Sequence, residues 1–233
     1  MGKIGFGYGS EWHLLWYLGR HRAYLSARII ELTGADRVEW LDFPVRQTAA
    51  TRLDEEWKGL DFIRDSAVTN AWREFWPQGA GIHNWDAVAK VSNGGREEWL
   101  LVEAKGHCGE IESSCGAKPE GGLRKIQEAL DVTKRALGVP PDHDWLTGCY
   151  QFCNRLAVLH FLETQGVAAR LLFVYFTGDS TSGRECPRDE AGWQTALEAQ
   201  QARVGLPPRH LLSHRIPKLF VPVFANVRRT TTE

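Results

Sequence analysis

Two carboxylates and one lysine lie near the ends of two apolar segments that are joined by a glycine-rich turn. Asp86 lies in the first segment, 84–91, and Glu103 and Lys105 lie at the end of the second, 98–105. Both segments alternate between polar and apolar residues and are rich in Val, Leu and Trp, which predicts two β-strands. Asn-Gly-Gly between such strands is a hairpin signal, so we expect the three ionisable groups at the open end of a β-hairpin.

The register of this hairpin has two alternatives. With 94–95 as the centre of the turn, Asp86 lies opposite Glu103. With 93–94 as the centre, Asp86 lies diagonal to Glu103. Because side chains alternate between the two faces of a strand, both alternatives place Asp86, Glu103 and Lys105 on one face.

The chemistry of these three side chains favours a site for a hard divalent cation. Two carboxylates about 5 Å apart repel each other unless a cation or a proton lies between them. Mg²⁺ takes oxygen ligands and binds through one or two carboxylates together with waters and phosphate. Such an ion lowers the pKa of bound water and stabilises charge on a scissile phosphate, and Lys105 would orient the water or offset the developing charge. The alternative is a surface hairpin with an ordinary Asp and a Glu/Lys pair.

The pattern of Asp86 followed by Glu103-Ala104-Lys105 resembles the PD-(D/E)XK nuclease superfamily, which has the restriction-endonuclease-like fold. In that family an acid on one hairpin strand and an acid-x-Lys on the next bind Mg²⁺ and cleave phosphodiesters. The resemblance implies that Asp86 and Glu103 bind Mg²⁺ or Mn²⁺, and that the carbonyl of Ala104 also ligates the metal. The proline of the motif is absent, because His-Asn-Trp at 83–85 precedes Asp86.

The same resemblance implies two further site residues. Glu11 lies near the edge of the apolar face of a helix predicted at 10–32 and N-capped by its first residue. Many such nucleases carry a Glu on the first core helix that holds a second metal or a water; the alternative is an acid favoured by the helix N-terminus. Gln151 lies on a helix predicted at 148–165, where some of these nucleases have a Gln and a Tyr one turn apart. Arg155 takes the place of the Tyr and could bind a phosphate or pair with a core acid.

The remaining elements complete an α/β chain. The continuous apolar run at 168–176 is typical of a strand that is covered on both faces. We expect a restriction-endonuclease-like mixed β-sheet core of four or more strands, flanked by helices on both faces. The other predicted elements are a short strand at 37–43, a segment of mixed helical character at 53–76, helices at 123–137 and 191–204, and an edge strand at 219–224.

Length and composition are those of a globular domain. The 233 residues suit a single nuclease-like domain at 10–227, between a flexible glycine-rich arm at 1–9 and a tail at 228–233. The matching nuclease core would cover 10–176. No run of about 18 apolar residues predicts a membrane span, and the N-terminus lacks an apolar signal-peptide core, so we expect a cytoplasmic protein. A net charge of −1 leaves room for a local basic groove but does not by itself indicate nucleic acid.

Five cysteines at irregular spacings are interpreted as reduced thiols. His107, Cys108 and Cys115 leave a zinc or thiol enzyme as a further alternative, although no two CxxC pairs support zinc. The same loop offers three candidate phosphate contacts, which are Ser113, Ser114 and Lys118; the alternative is that they are ordinary loop residues.

These residues lead to one main functional hypothesis. We expect a Mg²⁺- or Mn²⁺-dependent nuclease, a hydrolase that cleaves phosphodiester bonds in nucleic acid, in DNA rather than RNA. Its catalytic residues would be Asp86, Glu103 and Lys105, with Glu11 assisting at the metal and Gln151 as a secondary polar contact. The alternative is a catalytically inactive nuclease-fold module for binding or assembly. A homodimer or a protein partner could supply specificity, because no DNA-reading module is visible beside the core.

Overall fold

The computed structural model describes residues 9–47, 52–79, 82–181 and 183–223. Three of the predicted features lie wholly or partly outside these residues. They are the N-terminal arm up to residue 8, the tail at 228–233 and the end of the last predicted strand at Phe224.

The described part of the chain contains both helices and strands. The helices are α1 (Ser10–Arg20), α2 (Arg22–Thr33), α3 (Ser66–Phe75), α4 (Leu123–Leu137), α5 (Tyr150–Thr164) and α6 (Glu190–Val204). The strands are β1 (Arg37–Trp40), β2 (Val45–Gln47), β3 (Arg52–Asp54), β4 (Trp57–Lys58), β5 (Asn84–Trp85), β6 (Ala87–Asn93), β7 (Arg96–Lys105), β8 (Ala169–Thr177) and β9 (Lys218–Pro222). None of the described helices is long and apolar enough to cross a membrane.

Five of these strands form one mixed sheet in the order β1-β6-β7-β8-β9. Strands β1, β6 and β7 are antiparallel neighbours, whereas β8 runs parallel to both β7 and β9. The parallel pairing of β7 with β8 requires a crossover connection, which contains α4 and α5. The prediction of a mixed α/β fold with a sheet of four or more strands is therefore confirmed. Strand β8, from the apolar run at 168–176, is an internal strand of this sheet.

Helices cover both faces of the sheet, as expected. On one face Leu100 packs in a buried cluster with Ile29 of α2, and on the other face Leu101 packs in a second cluster with Leu159 of α5. Because side chains alternate along β7, Glu103 points to the same face as Leu101. This is the face that α5 covers, so the second acid of the motif lies between the sheet and that helix.

The hairpin register is the one centred on Gly94 and Gly95. Asn93 pairs with Arg96, and the ladder continues to the pair Ala87 and Val102. Both glycines have positive φ angles, 54° and 81°, as a tight two-residue hairpin turn requires. Asp86 directly precedes Ala87, the paired residue of β6 that is farthest from the turn, and so lies at the open end of the hairpin. The alternative register centred on residues 93–94 is wrong.

The prediction of one continuous helix at 10–32 is wrong. The helix is interrupted at His21, whose φ of −128° and ψ of 28° separate α1 from α2. The Nε of Arg22 donates to the Leu18 carbonyl at 2.9 Å and satisfies an acceptor at the end of α1. The predicted cap is also displaced, because Gly9 occupies the N-cap position and Ser10 is the first helical residue.

Three other elements have boundaries that differ from the prediction. The strand predicted at 37–43 ends at Trp40. The segment predicted at 53–76 is helical only from Ser66, because Asp65 caps α3 by accepting hydrogen bonds from the Ala67 and Val68 amides. The last strand ends at Pro222, on the edge of the sheet that its proline predicts.

The turn at Gly94 can be tested by substitution, because a Cβ there would meet no atom within 4 Å. We expect Gly94→Val to lower the free energy of unfolding by about 1–2 kcal/mol, since a branched L-residue is strained at positive φ. Gly94→Asn should cost less, because Asn tolerates this conformation. Urea denaturation measures both. Gly116→Val is the matched control, since Gly116 also has open space but no positive φ. Equal losses in Gly94→Val and Gly94→Asn would contradict the turn conformation.

Candidate active site

A cleft of about 530 Å³ opens where the hairpin ends and α5 begins. All the residues proposed for catalysis line it, and they are Glu11, Asp86, Glu103, Lys105 and Gln151. Ala104 lies between two of them on β7 and also lines the cleft. Of the candidate phosphate contacts, Ser113 lines the cleft, whereas Ser114 and Lys118 do not. Residues from α1, β7 and α5 therefore meet at one place, although they are up to 140 positions apart in the chain.

Glu103 is the most completely enclosed of these groups, with 1 % of its surface exposed. Its Oε1 accepts a hydrogen bond from Lys105 Nζ at 2.5 Å. Its Oε2 accepts a hydrogen bond from Nε of Arg155 at 2.9 Å and forms an ion pair with Nη2 of the same guanidinium at 2.8 Å. Burial alone would raise the pKa of Glu103, but the Arg155 and Lys105 cations together hold it below its ordinary value. Glu103 is therefore an ionised carboxylate in the protein interior.

Asp86 lies beside Glu103 in a different electrostatic state. Its Oδ2 accepts a hydrogen bond from the Ala104 amide at 2.7 Å, which joins the two hairpin strands next to the site. Burial and the negative charge of Glu103 raise the pKa of Asp86 well above its ordinary value, and they outweigh the opposing effect of Lys105. The two acids thus differ: one keeps its charge through two cations, and the other keeps its proton to higher pH.

Gln151 holds the lysine in place. Lys105 is 7 % exposed, and its Nζ donates to the Gln151 side-chain Oε1 at 2.6 Å as well as to Glu103. The backbone amide of Gln151 donates to Ser113 Oγ at 2.8 Å, which fixes the start of α5 to the loop after β7. Ser113, one of the candidate phosphate contacts, therefore lines the cleft but uses its hydroxyl for a structural bond.

Glu11 reaches the cleft from the first turn of α1 and meets two acids that the sequence analysis missed. Burial raises the pKa of Glu11, and the charges of Glu56 and Glu110 raise it further. Glu110 lies in a short 3₁₀ turn, and its Oε2 accepts a hydrogen bond from the Gly106 amide at 2.6 Å. Glu110 could have been predicted as a cleft residue, because it follows the motif strand by only five residues. Glu56 lies in an irregular segment and had no such signal.

The donor atoms around Asp86 fit a hard cation in type. Two carboxylates and the backbone of Ala104 line one cleft, and oxygen ligands of this kind suit Mg²⁺ or Mn²⁺. Both oxygens of Glu103 are bonded to cationic side chains, so Lys105 must release Oε1 before a metal can use it. Within the described ranges, no group of three His, Cys, Asp or Glu side chains is arranged to hold a metal ion.

The zinc or thiol alternative has little support in the arrangement of the cysteines. Burial, together with Glu185 and Cys186, raises the pKa of Cys108, which disfavours a thiolate nucleophile. Cys115 lies instead near Tyr150 at the start of α5, where burial and Cys115 together raise the pKa of the Tyr150 hydroxyl. All five cysteines are free, as the interpretation as reduced thiols expects.

Comparison with known proteins finds no match to the chain among protein-family models, curated proteins or solved structures. The site must therefore be interpreted from its own geometry.

Asp86→Asn tests the raised pKa of Asp86 through stability. In the unfolded chain the carboxyl loses its proton near its ordinary pKa of 3.8, whereas in the folded protein it keeps the proton to higher pH. The unfolded state then binds fewer protons above that pH, so the folded wild type loses stability as pH rises towards the folded pKa. Asparagine does not titrate and can still accept from the Ala104 amide.

We therefore expect Asp86→Asn to be more stable than the wild type at neutral pH, by about 1.4 kcal/mol for each unit by which the pKa is raised. The difference should shrink towards zero near pH 4, at the ordinary pKa of the carboxyl. Urea unfolding in EDTA across this pH range measures it. A difference that does not depend on pH would contradict the protonated state of Asp86.

Proposed function

We propose that this protein is a metal-dependent nuclease of the PD-(D/E)XK type that hydrolyses phosphodiester bonds in nucleic acid, with DNA as the favoured substrate. One observation carries the proposal: Asp86, Glu103 and Lys105 converge in a single cleft at the open end of the hairpin. A mixed sheet with helices on both faces is compatible with the restriction-endonuclease-like fold that this assignment implies.

Each residue has a separate task in this mechanism. Asp86, Glu103 and the Ala104 carbonyl would hold Mg²⁺ or Mn²⁺, which supplies a bound water of lowered pKa and neutralises charge on the phosphate. Lys105, once it releases Glu103, directs its ammonium at the attacking water or at the charge that develops on the phosphate. Gln151 keeps its bond to Lys105 and so limits where the ammonium can move.

The acids at the edge of the cleft predict the order of binding. Burial raises the pKa of Glu11, and repulsion from the charges of Glu56 and Glu110 raises it further. A phosphodiester that enters the metal-free cleft would meet the same repulsion. Metal therefore binds before nucleic acid, and Glu11 assists by holding a second metal or a water.

A catalytically inactive binding module is the second candidate, and one observation favours it. Both oxygens of Glu103 are already bonded to cations, as in a purely structural ion-pair network. Calorimetric titration with Mn²⁺ separates the two candidates. The nuclease binds Mn²⁺ at a site that Asp86→Ala abolishes, whereas an inactive module of this kind shows no such site.

Lys105→Met tests the catalytic assignment directly. We expect metal-dependent cleavage of a DNA substrate to fall by at least about 100-fold, because the only cation proposed to act on the reacting atoms is removed. Lys90→Met is the matched control, since Lys90 lies on the same hairpin but pairs with Glu97 away from the cleft. Circular dichroism checks that both variants fold. Cleavage at the wild-type rate in Lys105→Met would remove Lys105 from the mechanism.

Glu103→Gln tests the metal-binding acid in the same assay. The amide keeps the shape of the side chain but loses its charge, so we expect Mn²⁺ binding and cleavage to fall together. Glu98→Gln is the control, because Glu98 lies on the same strand and pairs with Arg170 at 2.6 Å. Unchanged Mn²⁺ affinity in Glu103→Gln would contradict the assignment.

A further inference from the structure

Arg155 is the one buried cation of the cleft to which the proposed mechanism gives no task. It is 3 % exposed and lies on α5, one helical turn after Gln151. A guanidinium cannot lose its proton in a protein, so its charge must be compensated where it lies. The contacts that it makes are therefore informative about its purpose.

Its guanidinium contacts both β7 and β5, the short strand just before Asp86. Nε donates to Glu103 Oε2 on β7 at 2.9 Å, and Nη2 lies 2.8 Å from the same oxygen in an ion pair. Nη2 also donates at 2.6 Å to the backbone carbonyl of Asn84 on β5, two residues before Asp86. Nη1 donates to the side chain of Asn154 at 2.9 Å. The chain segments that carry the two acids are thus joined through one planar group.

Trp85 fixes the plane of that group. The Arg155 Cζ lies 4.6 Å from the centre of the Trp85 ring, whose Nε1 donates to the Gly59 carbonyl at 2.7 Å. A guanidinium held over the face of a fully buried indole has little freedom to move. The direction of its N–H groups, and with it the rotation of the Glu103 carboxylate, is set by this packing.

We propose that Arg155 is a positioning residue that fixes the Glu103 carboxylate and the segment before Asp86 in the geometry that the metal needs. This inference rests on the metal site of the proposed function. Arg155 holds Oε2, so Oε1 is the oxygen left for the metal when Lys105 moves away. The Arg155 contacts to Oε2 can persist after that movement, because they involve neither Oε1 nor Lys105.

A positioning role and a purely electrostatic role predict opposite changes in metal affinity when Arg155 is removed. A cation near the metal repels it, so a purely electrostatic role predicts that loss of Arg155 tightens metal binding. A positioning role predicts weaker binding, because the carboxylate and the Asn84–Asp86 segment lose their common anchor. Removal of groups that orient metal ligands typically weakens metal affinity by about 10- to 100-fold.

The test compares Arg155→Met and Arg155→Lys with the wild-type protein. Mn²⁺ affinity is measured by calorimetry and by electron paramagnetic resonance, and DNA cleavage is measured at saturating Mn²⁺. We expect about 10- to 100-fold weaker Mn²⁺ binding in Arg155→Met. Arg155→Lys should recover only part of this loss, because a single ammonium lacks the planar fork that reaches both Glu103 and Asn84.

Arg170→Met is the matched control. Arg170 lies on β8 and pairs with Glu98 of β7 at 2.6 Å, so its loss also removes an ion pair from the catalytic strand, but away from the cleft. It should lower the melting temperature and leave Mn²⁺ affinity unchanged. A role of Arg155 in stability alone would make Arg155→Met behave in the same way.

The outcomes distinguish this inference from the nuclease proposal. Wild-type or tighter Mn²⁺ binding in Arg155→Met overturns the inference while leaving the nuclease intact. Weaker binding in the Arg155 variants without any DNA cleavage by the wild type supports the inference and overturns the nuclease. If Arg155→Met does not fold, Arg155→Lys decides alone, and unchanged Mn²⁺ affinity there overturns the positioning role. A wild type that binds no Mn²⁺ overturns both.

Discussion

The buried carboxylate of Glu103 connects the central strand of the sheet to the helix packed against it. Lys105 neutralises one of its oxygens from the same strand, and Arg155 neutralises the other from α5. Loss of either partner would leave a charge in the interior without full compensation, which proteins tolerate poorly. Glu103 therefore stays ionised only while α5 holds Arg155 against the sheet, and the geometry of the cleft depends on this link.

The order of the strands explains why the cleft forms where it does. Strand β7 has an antiparallel neighbour on one side and a parallel neighbour on the other, so its backbone is held by hydrogen bonds along both edges. The chain leaves β7 at Lys105. Helix α5 begins beside that point, as the hydrogen bond from Lys105 to Gln151 shows. The end of a rigid strand and the start of a long helix thus meet at one place. Side chains from both can be held there with little freedom.

Features of the fold and the cleft could be predicted from the sequence where they depend on neighbouring residues, and not where they depend on contacts between distant ones. The hairpin and its register follow from alternating apolar residues and from the glycines at 94–95, which are local features of the sequence. The Glu103–Arg155 pair joins positions 52 residues apart. From the sequence, pairing with a core acid was only one of two alternatives for Arg155. The partner of a buried arginine depends on how its helix packs against the sheet.

The same distinction accounts for what was missed. Glu56 enters the cleft from an irregular segment, and no periodicity marks such a residue. The break at His21 was missed because the apolar spacing continues across it, while the backbone turns there and Arg22 satisfies the freed Leu18 carbonyl. In both cases the deciding contacts are formed in the folded chain, and a pattern of residue types does not record them.

The position of the turn at 94–95 has a practical consequence. The turn joins β6 and β7 at the end away from Glu103, and eight residues of extended strand correspond to about 27 Å. Open space surrounds both glycines. A fluorophore or a short epitope attached at this tip would project from the molecule without touching the cleft, so the tip offers an attachment point for immobilisation and single-molecule observation.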